Sequence, residues 1–253
     1  MGGLQLFARY AYPPNELGYC GPADHRALLD YRSQGVSDPG LEQLARGFEG
    51  PWPYLTLLAG AAGTSDRFDP RVVEAYWVGN ELLDRVGTTD FGNVLRDRFR
   101  GRAGSGWGFL EEAIPEGAVC HHSFHVFGVY PWAGLLRSGR VEQPLEVLDR
   151  CRIRWGKVVA VERDEVIVES RHLQWDGTTL SLGAPQRERA TWARDGHGLV
   201  ADLQAGEWVS LHWHWVCDRL TARQLGHLER YTRRHLTITN HRVRHPGPAA
   251  ALS

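Results

Sequence analysis

Two different periods of hydrophobic and polar residues divide the chain. In residues 1–142, apolar side chains recur at helical spacing, most clearly over 69–83, where they form one stripe. Pro22 stands at a predicted helix start, because proline suits the first turn of a helix. The stretch 118–136 predicts a buried helix that bends or ends at Pro131. The first part of the chain is therefore expected to be helical.

In the second part the period shortens to that of β-strands. The run Val166-Ile-Val168 is β-branched at every position, and Trp175-Asp-Gly177 is a strong hairpin signal. The segment 207–217 predicts the last strand. After it, Thr221-Ala-Arg-Gln224 has the pattern of a capping box, which starts a helix that we expect to end near His235.

Together the two patterns predict an α+β fold in three parts. An all-α domain covers residues 1–142, and a small antiparallel β-barrel of the OB or SH3 kind, with a C-terminal helix, covers 143–240. The remainder, 241–253, is predicted to be a flexible tail.

Composition narrows the class of protein. The 29 basic and 30 acidic residues leave a net charge of −1, so we expect neither nucleic acid nor a membrane as a partner. No signal peptide is evident, and no window approaches about 18 uncharged apolar residues. The four cysteines form no C-x-x-C pair, which argues against a disulfide framework or zinc ribbon. We expect a cytoplasmic protein with reduced thiols.

The segment Cys120-His-His-Ser-Phe-His125 is the first candidate site. On a helix, His121 and His125 share a face at the spacing that zincin helices use, although His122 stands where a zincin has its glutamate. Cys120, His121 and His125 are therefore candidate metal ligands. Candidates for a further ligand are His25, Cys20 and Glu81. The alternative is a set of hydrogen-bonded core histidines.

The segment Tyr10–Pro22 combines aromatic residues with Pro, Asn and Gly. These residue types fix rigid turns, so we expect a polar-aromatic loop ahead of the first clear helix. Such a loop either shapes a pocket or serves as a structural turn.

Cys151 and His212 form the second candidate site, because they bracket the predicted barrel. Strand pairing can bring a thiolate and an imidazole together, and this pair suits a transition metal. Arg152, Arg154 and Lys157 are expected to lower the pKa of the Cys151 thiol. The alternative is a buried strand cysteine and a barrel histidine stacked among tryptophans.

The order of motifs in this region resembles that of the HypC/HupF-type hydrogenase maturation chaperones. Cys151-x-x-x-x-Gly-Lys-Val-Val159 is followed by Gly206-Glu-Trp-Val-Ser-Leu-His212 and then by a helix, and the resemblance covers residues 149–237. The chain departs from that family in two respects. Its cysteine is internal instead of N-terminal, and Trp155 replaces a proline.

The resemblance implies that Cys151 and His212 hold an iron-dicyano-carbonyl unit transiently, on its way to a [NiFe] centre. It also implies a partner, either the hydrogenase large-subunit precursor or another maturation protein. Aromatic side chains are frequent interface anchors. The predicted interface residues are Trp155, Lys157, Trp213 and Trp215.

Three functions remain open at this point. Tyr12-Pro-Pro-Asn15, Gly18–Pro22 and His121–His125 also resemble an uncharacterised bacterial family associated with hydrogenase gene clusters. This agrees with the comparison to the maturation chaperones, and the first hypothesis is a non-catalytic accessory protein of [NiFe]-hydrogenase assembly. The alternatives are a metal-dependent enzyme centred on His121 and His125, and a scaffold subunit that stays in the mature complex.

Overall fold

The computed structural model describes residues 2–103, 113–114, 116–194 and 196–245. The α-helices in chain order are α1 (Gly3–Glu16), α2 (Ala27–Gln34), α3 (Pro39–Arg46), α4 (Trp52–Ala62), α5 (Pro70–Trp77), α6 (Thr88–Ala103), α7 (His122–Phe124), α8 (Trp132–Arg137), α9 (Glu142–Cys151) and α10 (Ala222–Arg244). A 3-10 helix spans Glu81–Arg85, and a π-helical turn spans His125–Val129. Helices α2, α3 and α5 all contact α1.

The strands follow α9. They are β1 (Arg154–Glu162), β2 (Glu165–Trp175), β3 (Leu180–Thr191), β4 (Ala193–Arg194), β5 (His197–Gly198), β6 (Trp208–His212) and β7 (Trp215–Arg219). Five of them form one sheet in the order β1-β2-β3-β7-β6, in which β6 also pairs with β1. The short strands β4 and β5 pair with each other.

The predicted mixed fold is confirmed in its coarse form, with a helical first part, a five-stranded sheet and a C-terminal helix. The prediction of an all-antiparallel barrel is wrong at one junction. Strands β3 and β7 run parallel and meet at one pair, Thr191 with Trp215, whereas the other neighbours are antiparallel. The β4–β5 hairpin and the segment after it carry the chain across to β6, so β7 arrives parallel to β3.

Helix α1 corrects the loop predicted over 10–22. It runs to Glu16 and contains Pro13 and Pro14, two residues that normally end a helix. The helix forms because the side chains of Phe7 and Tyr10 are buried in the core, which outweighs the hydrogen bonds that the prolines remove.

The structure also differs from the single helix predicted over 118–136. The π-helical turn separates α7 from α8, and in it the Tyr130 N–H donates to the His125 carbonyl. At the C-terminus the predicted capping box of Thr221 and Gln224 is present, but α10 continues past His235 to Arg244. Residues 246–253 of the predicted tail lie outside the described residues.

The largest apolar cluster contains side chains from both sides of the predicted domain boundary at residue 142. Phe7, Tyr76 and Leu95 belong to it, and so does Trp215 from the sheet. The helices and the sheet therefore share a core. Within the described part of the chain, no helix combines the length and the apolar character that a membrane span requires.

The glycine of strand β1 provides a test of how closely the strands pack. A Cβ atom at Gly156 would lie 2.3 Å from Cγ1 of Val168 and 2.8 Å from the Glu169 carbonyl oxygen. We expect Gly156→Ala to lower the free energy of unfolding by about 1–3 kcal/mol, measured by urea denaturation, because the neighbouring strand has to move. Gly226→Ala is the matched control in the exposed face of α10. A Cβ there meets nothing within 4 Å, so we expect a gain of about 0.5–1 kcal/mol. Equal effects of the two substitutions would contradict this packing.

Candidate metal centre

Cys151 and His212 lie close together, as the sequence predicted, and His122 joins them. One potential ligand atom from each residue lies within 4.8 Å of the other two, and all three residues are buried. Cys151 ends α9 and His212 ends β6. The Trp213 N–H donates to the Arg150 carbonyl at 2.7 Å, which holds these two chain segments side by side. Within the part of the chain that the structure describes, this is the only group of three such side chains.

The ring of His212 is oriented so that one nitrogen has a free lone pair. Its Nδ1 lies 2.6 Å from the carbonyl oxygen of Tyr10, and because a carbonyl only accepts, Nδ1 carries the proton. Nε2 is buried and has no hydrogen-bond partner among the described residues. Burial holds the pKa of His212 well below its usual range, so the ring is neutral. A neutral ring with one nitrogen fixed by a carbonyl is the usual state of a metal-ligating histidine.

The ring of His122 is also neutral and hydrogen-bonded to a backbone carbonyl, as that of His212 is, but its second nitrogen has a hydrogen-bond partner as well. Nε2 donates to the carbonyl oxygen of Cys151 at 2.8 Å, and Nδ1 accepts a longer bond of 3.3 Å from the Tyr76 hydroxyl. Burial lowers the pKa of His122 to about 4. The Nδ1 lone pair is therefore engaged by one weak hydrogen bond at neutral pH.

The thiol of Cys151 corrects one expectation. Burial raises its pKa well above the usual range, so without a metal it is protonated. The prediction that neighbouring cations lower the pKa of the Cys151 thiol is wrong, because two of these cations are paired with carboxylates and the third is exposed. Arg152 pairs with Asp149, Arg154 pairs with Glu188, and Lys157 is exposed. A metal would have to displace the thiol proton.

Arg152 and Arg154 belong to a network of buried ion pairs next to the site. Burial alone would raise the pKa of Asp149, but a hydrogen bond from His172 and the charges of Arg152 and Arg154 hold it below its usual range. The Asp149 carboxylate also accepts from the Leu173 N–H at 2.8 Å. The network therefore ties the end of α9, which carries Cys151, to strand β2.

A cavity of about 200 Å³ borders the three side chains. Since a water molecule takes about 30 Å³ in the liquid, this space corresponds to roughly six or seven water molecules. Its wall is mostly aromatic, with Tyr76, Trp77 and Tyr130 among the lining residues. No carboxylate, lysine or arginine among the described residues lines it.

The segment that follows α1 forms one side of the cavity. Tyr19 stacks on Trp213 with ring centroids 4.2 Å apart, and the Asn15 side chain donates to the Cys20 and Pro22 carbonyls at 2.8 Å. Gly21 has φ +89°, and a Cβ there would lie 2.3 Å from the ring of Phe48. Of the two interpretations open for this loop, the structure favours the one in which it shapes a pocket.

The other predicted metal ligands lie outside the cluster. His121 has extended backbone and caps α7, so His121 and His125 do not share a helical face as the i,i+4 argument assumed. The His125 ring borders the cavity and has Nδ1 3.1 Å from the Tyr54 hydroxyl, and Cys120 is buried beside them without bordering the cavity.

His121 belongs to a second buried chain of hydrogen bonds. The Val119 N–H donates to Nε2 of His235, whose Nδ1 lies 2.6 Å from the Ser123 hydroxyl, and that hydroxyl lies 2.7 Å from Nδ1 of His121. A backbone N–H only donates, so Nε2 of His235 accepts and Nδ1 of His235 donates to the Ser123 hydroxyl. That hydroxyl in turn donates to Nδ1 of His121. His235, where the last helix was predicted to end, is 1 % exposed and lies within α10.

The predicted interface tryptophans are core residues. Trp155 and Trp213 are each 6 % exposed and Trp215 is fully buried, with its indole N–H donating to Glu16. They cannot anchor a partner on the surface of this structure. Of the four predicted interface residues, Lys157 is the exposed one.

Comparison with known proteins places the chain in a family. Residues 1–246 match the model of a family of unknown function, DUF6390. The chain belongs to this family. No curated protein and no solved structure matches it. The family description assigns no activity.

The buried histidines predict how stability depends on pH. The pKa is about 4 for His122 and about 3 for His125 and His235, in each case because of burial. Below pH of about 6.5 the unfolded chain takes up protons on these rings, whereas the folded chain does not. We therefore expect the free energy of unfolding to fall from pH 6.5 towards pH 4, by about 1 kcal/mol per pH unit for each ring. Urea denaturation of the metal-free protein at a series of pH values measures this. A constant stability across that window would contradict the neutral state of the three rings.

Proposed function

We propose that the protein binds a transition-metal centre through His122, Cys151 and His212 and acts as a non-catalytic accessory protein. The supporting observation is the convergence of Cys151 and His212, which the sequence selected as a pair, with a third donor beside an enclosed cavity.

The softness of the three donor atoms indicates which metal ions the site suits. A thiolate is a soft ligand and imidazole is a borderline one, so the set suits iron, zinc or copper and disfavours magnesium and calcium. The free Nε2 of His212 supports this assignment, because a buried ring nitrogen without a partner is costly unless it finds one. A metal ion supplies that partner.

The character of the cavity favours holding a metal over performing hydrolysis with it. The described lining contains no carboxylate that could act as a general base. Its histidines are neutral through burial, and His122 and His212 are each already hydrogen-bonded to a backbone carbonyl. The alternative enzyme site at His121 and His125 has less support, since these two rings are held in separate hydrogen-bonded pairs.

The assembly role rests on the resemblance to the maturation chaperones. In this proposal the cargo is an iron-dicyano-carbonyl unit, and the partner is a [NiFe]-hydrogenase large-subunit precursor or another maturation protein. The protein supplies three donors, and the unit brings three diatomic ligands, which together complete the six positions of low-spin iron. The cavity of about 200 Å³ has room for these small ligands.

The metal site is tested by titrating the full-length, metal-free protein with Co²⁺. We expect a thiolate-to-cobalt charge-transfer band in the wild type and in Cys120→Ala, a matched control because Cys120 is a buried cysteine outside the cavity. In Cys151→Ala we expect the band to weaken and the affinity to fall by at least about 100-fold, since even outer partners of ligands contribute 10–100-fold. Unchanged binding in Cys151→Ala would refute the site. Loss of binding in His121→Ala alone would favour the alternative enzyme site.

The assembly role is tested by infrared spectroscopy of protein co-expressed with hydrogenase maturation proteins. We expect stretching bands of bound cyanide and CO in the wild type, and their loss in Cys151→Ala and His212→Ala, because the iron would lose a ligand in each variant. Affinity purification from the native host gives a second measurement, with a hydrogenase large-subunit precursor expected among the captured proteins. Capture without any hydrogenase component would contradict the assembly role and leave the metal site standing. Co-purification with the mature, fully processed complex would instead indicate a retained scaffold subunit.

A further inference from the structure

The charge of the cavity limits what the three-donor site can hold. Cys151 is the one member of the group that can become an anion, because His122 and His212 bind metals as neutral rings. A bare divalent ion bound by this group would therefore keep a net charge of +1. No carboxylate of the described lining compensates that charge, and an uncompensated buried charge is expensive.

Cys20 lines the same cavity as these three residues. Its side chain is part of the wall formed after α1, and its thiol is largely buried, which raises its pKa to about 12. Cys151 lines this cavity as well, so the two cysteines face the same space. Cys20 is not part of the 4.8 Å group.

The backbone at Cys20 is held in place. The Asn15 side chain fixes the carbonyls of Cys20 and Pro22, and contact with Phe48 restricts Gly21. The Cys20 side chain packs against the core and also borders the cavity, and no hydrogen bond of its thiol is present in the described structure. Binding of a metal by Cys20 therefore requires a change of its side-chain rotamer, because the loop backbone is fixed.

We infer that, when the site holds a bare divalent ion in place of the iron unit, Cys20 supplies a second thiolate beside His122, Cys151 and His212, which completes a neutral Cys₂His₂ site of the zinc type. This inference rests on the proposed metal site and names the fourth ligand that a bare divalent ion takes there. Two thiols lose their protons to solvent, two sulfur–metal bonds form, and the net charge of the complex is zero. An iron unit that carries its own two cyanides needs no second thiolate, and neither does a monovalent ion such as Cu(I).

The test compares the wild type with Cys20→Ala and with Cys120→Ala as the matched control. For the wild type and the control we expect the intensity of the cobalt charge-transfer band to correspond to two thiolates per ion. We also expect release of two protons per Zn²⁺, measured by calorimetry in buffers of different ionisation enthalpy. Cys20→Ala should show one thiolate and one proton, with the affinity for Zn²⁺, measured by competition with a chelating indicator, lowered at least about 10-fold. Its affinity for Cu(I) should be unchanged.

A second measurement uses the unmodified protein, so it does not depend on the folding of a variant. Zn²⁺ should slow the alkylation of Cys20, followed by mass spectrometry. One thiolate per cobalt in the wild type, with alkylation of Cys20 unaffected by Zn²⁺, would overturn the role of Cys20 and leave the three-donor site intact. Absence of metal binding in the wild type, or binding of undiminished affinity in Cys151→Ala, would instead refute the proposed site itself.

Discussion

The hydrogen bond between His212 and the Tyr10 carbonyl links the helical part of the chain to the candidate site. It fixes the ring of His212 and leaves Nε2 free. The same helix makes further polar contacts with the sheet: the Tyr10 hydroxyl lies 2.9 Å from the Ser210 hydroxyl, Arg9 pairs with Asp218, and Glu16 accepts from the Trp215 indole. Helix α1 therefore orients a proposed ligand and closes the core at the same time, and the loop that follows it shapes the cavity.

Parts of this arrangement follow from the sequence alone. The change of period separates the helical part from the strands, and the capping box of Thr221 and Gln224 marks the start of the last helix. Cys151 and His212 were predicted as a pair because they bracket the predicted barrel and stand in the motif order of the maturation chaperones. The parallel junction of β3 with β7 was missed, since period-two patterns carry no information about strand direction.

Other parts depend on tertiary structure and could not be predicted from the sequence. His122 was passed over because helical spacing selected its neighbours, yet the backbone at His121 is extended. The signal for His122 was its place in an apolar segment, which also suits a core histidine. Pro13 and Pro14 pointed to a loop because local rules cannot weigh the burial of a whole helix face against two missing hydrogen bonds. The tryptophan content suited a core or an interface equally well, and burial decided for the core.

The three proposed ligands come from separate regions of the chain, namely α7, the end of α9 and the end of β6. An unfolded chain therefore has no preformed site, and a bound metal stabilises the native state by RT ln(1 + [L]/Kd). Metal supply and protein stability are then thermodynamically linked. In a cell that degrades unfolded chains, such linkage would make the abundance of the protein follow the concentration of the metal it is proposed to bind.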